Sequence, residues 1–179
     1  MLVFHPSLFQ VTPNWSWDDC FRYSNKAELA VATLIGASNP IITEGYAPGY
    51  DFSAGGLKYE VKYQNTHLVN LEFKQEKTGV PSGIFTSTAD WWIVVSTGVT
   101  MQGEVVGKVR GYRTPTLQQI VWDKITETGQ IPNTHYFTFG PRDLPHTWLG
   151  DVTWDPTTTT WDMSRWMKRG SPLPPTAHK

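Results

Sequence analysis

Cysteine is nearly absent: Cys20 stands alone in 179 residues, so no internal disulfide can form, which points to a reducing compartment. Long hydrophobic runs are also missing. The longest apolar stretch is Trp91 to Val95, far short of the ~20 residues that a membrane-spanning helix needs. The N-terminus, MLVFHPSLFQ, has no basic segment and carries Pro6, so it does not read as a secretory signal. These absences set the expectation of a soluble, cytoplasmic protein with no membrane partner.

Closely spaced metal ligands are lacking too. The histidines and the cysteine are scattered at 5, 20, 67, 135, 146 and 178, which argues against structural zinc. Neither a GxSxG elbow nor a GxGxxG loop occurs, which removes the usual signatures of serine hydrolases and dinucleotide enzymes. The segment Gly103 to Val109 approaches a phosphate loop but is one spacer residue short, and Val109 stands where the magnesium-binding Ser or Thr belongs.

The composition is that of one globular domain, with 39% apolar and 17% charged residues. Net charge is −1, from 15 basic and 16 acidic residues, yet the signs are segregated. Residues 1–57 carry −3, 58–113 carry +2, 114–162 carry −4 and 163–179 carry +4. Such alternation can present a basic face although the sum is near zero, or simply solvate the surface. Nine Trp, seven Tyr and eight Phe make the chain rich in aromatics.

Four regions are expected: an irregular aromatic arm over 1–25, a core over 26–130, a Trp-rich extension over 131–170 and a disordered tail over 171–179. In the core, apolar positions 27, 30, 31, 34 and 35 with Gly36 as a stop predict a helix from Lys26 to Ile35. Ile41 to Thr43 opens an extended segment. Leu57 to Gln64 alternates as a half-buried strand, and Gly55-Gly56 supplies the positive φ angles of a two-residue hairpin turn pairing back into Tyr50 to Ala54. Further strands are expected over Leu68 to Lys74, Trp91 to Ser96 and Val105 to Tyr112. A short helix is expected from Pro81 to Ala89 and a longer one from Leu117 to Thr126, with Pro115 near its first turn. Beyond Gly129 the pattern reads as loops.

The hairpin carries the chemistry. With a two-residue turn, Ala54 faces Leu57, and continuing the ladder sets Asp51 opposite Glu60. Like charges facing across a ladder destabilise it, so a cation is implied. Lys62, two residues along on the same face, supplies part of that charge. Two converging carboxylates also suit magnesium, which takes one or two carboxylates and leaves its other positions to water and phosphate oxygens. An ordinary surface strand of alternating Lys and Glu is the competing reading.

Asp51, eight intervening residues and then Glu60-Val61-Lys62 resemble the signature of the PD-(D/E)XK nucleases. The expected α/β (α+β) order, α-β-β-β-α-β with a mixed sheet flanked by helices, resembles their restriction-endonuclease-like core. Asn70-Leu71-Glu72 and PSGIFTSTADWW (81–92) are similar to a pattern in small phage-type members; Tyr50 stands where the signature often has Pro. The resemblance implies a Mg2+-dependent DNA endonuclease, with Mn2+ able to substitute and dimeric if both strands are cut; structure-specific junction resolution and a phage-encoded origin in a bacterial host are readings it leaves open. It implies metal ligation by Asp51, Glu60 and the Val61 carbonyl, a water-positioning or transition-state role for Lys62, and an added acidic ligand in Glu28. Glu28 equally fits a capping box with Asn25. Gln64, Lys58, Lys74, Ser82, Lys108 and Arg110 are the candidate substrate contacts, with Lys77, Arg113, Arg165, Lys168 and Arg169 as further basic positions. Ser82 reads also as a helix cap, Glu72 as exposed polar surface or a supporting acid, and Asp90 as a turn residue. A silent nucleic-acid-binding module that stacks bases on its Trp-rich third is the alternative function, and an exonuclease or an RNA-acting nuclease is a further one.

Overall fold

The computed structural model describes residues 27–43, 49–64, 66–99, 105–127, 129, 132–155 and 160–162. The aromatic arm, Asn25, the basic positions Arg165, Lys168 and Arg169 and the tail lie outside these residues. The class is mixed α/β: two α-helices, a seven-stranded mixed sheet and a two-stranded sheet among the described residues. None of these helices is long and apolar enough to cross a membrane.

Helix α1 (27–34) buries Ala27, Ala30, Val31 and Leu34, the i, i+3, i+4, i+7 stripe of an amphipathic helix, and leaves Leu29 and Thr33 exposed. It ends in a Schellman motif. Gly36 takes φ +67°, its N–H reaching the Thr33 carbonyl while the Ala37 N–H reaches that of Ala32.

Strands β1 (Ile41–Ile42), β2 (Phe52–Ala54) and β3 (Leu57–Gln64) form an antiparallel meander. Gly55 and Gly56 both take positive φ, +59° and +82°, as the two-residue hairpin requires. The register pairs Ala54 with Leu57, Ser53 with Lys58 and Phe52 with Tyr59. The last pair stacks at 4.7 Å between ring centroids, worth about 0.5–1.5 kcal/mol beyond its area.

Three strands called β4 (Val69–Glu72), β5 (Trp91–Val99) and β6 (Val105–Arg113) follow, then helix α2 (Thr114–Glu127) and strands β7 (Tyr136–Phe139), β8 (Thr147–Asp155) and β9 (Thr160–Asp162). The main sheet runs β1-β2-β3-β5-β6-β8-β9, with β5 parallel to β3 and every other pair antiparallel. β5 is buried on both faces. Trp91, Ile93 and Val95 join Tyr59 and Val61 in the core under α1, while Trp92 and Val94 join Tyr112, Leu117 and Val121 in a second core under α2.

Three expectations need correction. The strand over Leu68 to Lys74 is shorter and does not enter the main sheet: β4 pairs with β7 in the small sheet. Alternation of Val69, Leu71 and Phe73 sets which face is buried, here in the second core, but not the partner strand. The expected helix from Pro81 to Ala89 is a single 3-10 turn, Gly83–Phe85. Gly83 takes φ +54°, Pro81 bridges to Lys74, and Ser87 Oγ and the Thr88 N–H both donate to the Gly49 carbonyl, so the chain is tied down before a helix can propagate. The connection from β3 to β5 therefore holds no α-helix among the described residues. Finally, the region after Gly129 forms β7, β8 and β9 rather than loops. A register shift in β8 opposite Val109 and Arg110 interrupts the alternation that would have revealed it.

Asp90 sets the start of β5, as expected of a turn residue. Its Oδ2 accepts the Lys58 N–H at 2.8 Å, and its own N–H donates to the Lys58 carbonyl at 2.8 Å. Asp90→Ala removes the first of these and leaves an amide without its acceptor. The expected cost is about 1–2 kcal/mol, read as a lowered urea midpoint with an unchanged slope.

Candidate active site

Asp51, Glu60 and Lys62 lie close to the point where β2 leaves β3. The ladder stops at Phe52–Tyr59, so Asp51 is not the cross-strand partner of Glu60, which corrects the extrapolated register. The reason is local. The Asp51 N–H turns to the Tyr59 carbonyl at 2.8 Å while its carbonyl accepts the Thr43 N–H at 2.9 Å, which takes Asp51 out of the ladder. Its carboxylate Oδ2 then accepts the Val61 N–H at 2.6 Å, beyond the end of the pairing. A strand residue whose N–H points sideways sends its C=O the same way, so the Val61 carbonyl opens toward the same edge.

Side chains reach this edge from both faces. Val61 and Tyr59 point into the core under α1, so Glu60 and Lys62 stand on the α2 side, where Lys62 Nζ lies 5.3 Å from the Trp92 ring. Glu60 and Lys62 form an ion pair through Oε1 and Nζ. Glu28 approaches from α1, 8% exposed, within electrostatic reach of Asp51, Lys62 and Glu60.

The electrostatics are those of three carboxylates sharing one ammonium. Burial, then the charge of Asp51, pushes the Glu28 carboxyl up to about 7, with Lys62 opposing and Glu60 adding. Burial raises Asp51, with the Val61 N–H and Lys62 opposing. Burial raises Glu60 as well, against the pull of Lys62. Burial alone would lower the Lys62 ammonium, but Glu60, Asp51 and Glu72 reverse this and hold it above its ordinary value. An added cation would relieve all three acids.

The donor chemistry fits a hard divalent ion: carboxylate oxygens from Asp51 and Glu60, a carbonyl from Val61, and Glu28 in reserve. Among the described residues no group of three or more His, Cys, Asp or Glu is already gathered as a metal cage. One or two carboxylates with water are what magnesium ordinarily takes, so the set suffices in kind.

The substrate candidates separate into groups. Gln64 holds the small sheet: its Nε2 donates to the Asn70 carbonyl at 3.1 Å and its Oε1 accepts the Asn70 N–H at 3.3 Å. Ser82 precedes the 3-10 turn without capping it; its Oγ donates to Glu72 Oε1 at 2.6 Å. Lys58 lies against the Tyr50 ring and Lys74 donates to the Pro132 carbonyl. Lys77 is exposed in the connection between β4 and β5. Arg113 packs on Trp91 and so belongs to the α1 face. Lys108 and Arg110 are on the face of Lys62, because the register runs Lys62–Val94–Arg110 and Gln64–Ser96–Lys108. Their neighbours are Asp151, opposite Lys108, which the sequence reading did not single out, and Trp148 of the Trp-rich third, which the β8 register shift sets opposite Arg110.

No protein-family model matches this chain, and no curated protein or solved structure matches it at a significant level.

Proposed function

We propose that this chain is a divalent-metal-dependent nuclease of the PD-(D/E)XK type that cuts phosphodiester bonds in DNA. The observation that carries the proposal is the placing of Asp51, Glu60 and Lys62 where the β2–β3 ladder ends at Val61, with Glu28 within electrostatic reach of all three. The frame supports it: an antiparallel meander of three strands after α1, then β5 parallel to the third of them, in keeping with a restriction-endonuclease-like core whose second helix is replaced by β4 and a 3-10 turn.

In this reading Mg2+, or Mn2+ in its place, is held by Asp51, Glu60 and the Val61 carbonyl, and when bound supplies Lewis acidity toward phosphate and water. The Val61 N–H fixes the Asp51 carboxylate, leaving its second oxygen for ligation. Lys62, steered by Glu60, presents a permanent positive charge to the phosphorane as negative charge develops. Glu28 adjusts the charge of the pocket by exchanging a proton near neutrality. The protein acts as a dimer if the substrate is a duplex or a symmetric junction.

Incubation with supercoiled plasmid, linear duplex and a branched junction, each with and without Mg2+ or Mn2+, tests this. Metal-dependent nicking of the circle is expected, and junction preference would mark a resolving enzyme. Calorimetry with Mn2+ at millimolar concentration should show binding that Asp51→Ala abolishes. Protein that binds DNA but cuts none of the substrates under either metal would overturn the enzyme and favour a silent binding module.

A further inference from the structure

The face of the main sheet that carries Lys62 does not end at Val94. Following the register across the strands leads from Lys62 through Val94 and Arg110 to Trp148, and one row along from Gln64 through Ser96 and Lys108 to Asp151. At ~4.8 Å per strand, Trp148 lies roughly 14 Å from Lys62 across the sheet. Between these two ends Val94 lies in the second core and Ser96 is fully buried, so the face comes back to the surface only at Trp148 and its neighbours.

The arrival of Trp148 on this face has a specific cause. From Val106 to Val109 the pairing with β8 follows one register, and between Val109 and Arg110 it shifts, so Arg110 faces Trp148 instead of Leu149. An extra residue in one strand re-aims its neighbours. Leu149 turns into the core under α1, and Trp148 and Asp151, three residues apart, share the opposite face with Arg110 and Lys108. Gly150 makes the shift possible: it takes φ +146°, and a Cβ there would sit 3.1 Å from Leu34 Cδ1.

The result is an aromatic ring set among cations. Lys108 Nζ lies 4.9 Å and Arg110 Cζ 5.4 Å from the Trp148 ring centroid, yet 36% of the residue remains exposed, which makes it one of the exposed large apolar side chains among the described residues. Asp151 pairs with Lys108 at 3.5 Å and holds that ammonium beside the ring. Arg142 adds its charge near Arg110, so two guanidinium groups and an ammonium outweigh one carboxylate.

Building on the nuclease reading, we propose that Trp148, flanked by Lys108 and Arg110, is a stacking site for an unpaired base in a single-stranded segment of the substrate. The chemistry selects this occupant. The part of the indole that Lys108 and Arg110 leave exposed is a surface an unpaired base can stack on, whereas a base inside a duplex is already stacked on both sides. The adjacent cations complement the phosphates on either side of that base. The site makes the enzyme one for substrates with single-stranded character, such as overhangs, flaps or open junction arms.

Fluorescence anisotropy without divalent metal, so that nothing is cut, tests the site with labelled single-stranded DNA, single-stranded RNA and blunt duplex DNA of equal length. Trp148→Ala is expected to weaken single-strand binding about tenfold or more while changing blunt-duplex binding less than about twofold. Trp148→Phe, which keeps a π-face, should recover most of the loss. The DNA and RNA arms reveal which strand carries the base. Equal loss on single strand and duplex, no loss on either, or no recovery by Phe would overturn the stacking site. Plasmid nicking by the wild-type protein is scored separately: if it fails while the selective loss holds, the base site stands and the nuclease reading falls.

Discussion

Replacing Lys62 by Met is expected to lower the cleavage rate on the order of 100-fold or more while leaving DNA affinity and the fold nearly intact. Met keeps the length and apolar stem of the side chain and gives up the contact of Nζ with the Trp92 ring. What disappears is the charge beside Glu60. In the ground state that loss is tolerable, because Glu60 can take up a proton or a divalent cation, and its carboxyl is already pushed upward by burial. In the transition state no such substitute exists, since the ammonium acts as negative charge grows on phosphorus. A Lys that merely screened two carboxylates would be replaceable by metal. The comparison is therefore made at saturating Mg2+, with single-turnover cleavage and equilibrium binding measured on the same duplex. Lys62→Met cutting at close to the parent rate would remove Lys62 from the catalytic machinery. Lys108→Ala is the control of opposite character, weakening binding and reducing its salt dependence.

How far the site was legible in the sequence follows from which interactions are local. The hairpin was readable because Gly55-Gly56 fixes register by backbone geometry alone, and the three pairs from Ala54–Leu57 to Phe52–Tyr59 follow from it. Asp51 escaped the same arithmetic because a carboxylate can compete with a carbonyl for a strand N–H, and it took that of Val61. The burial of β5 on both faces was legible as an uninterrupted apolar run. Its parallel pairing with β3 was not, since no local pattern distinguishes a crossover from another hairpin. The small sheet and the arrival of Trp148 beside Arg110 lie further out of reach, because both depend on contacts between residues more than thirty positions apart and on one inserted residue in β8.

Glu28→Gln should make the protein more stable at pH 8, on the order of 3 kcal/mol, and flatten its stability between pH 4.5 and 7. The Glu28 carboxyl sits at about 7 in the folded protein and at its ordinary 4.5 when exposed, because the fold buries it beside Asp51 and Glu60. Between those two values the folded state binds the proton and the unfolded state does not. Stability is therefore full below pH 4.5 and is lost as pH rises through 7, the reverse of a carboxylate held by a salt bridge. Gln carries no charge to desolvate, so its protein does not follow that decline. Urea unfolding of both proteins at pH 5, 6, 7 and 8 measures the difference, and parallel curves would show that Glu28 titrates normally. Divalent metal sharpens the result. A cation bound among ionised carboxylates stabilises the folded form and displaces protons, so added Mn2+ should raise the wild-type urea midpoint at pH 8 more than at pH 5. In Glu28→Gln, where one of the three acids no longer ionises, the rise at pH 8 should be smaller. An equal Mn2+ effect in both proteins would place Glu28 outside the cation's reach and leave its raised pKa a consequence of burial alone.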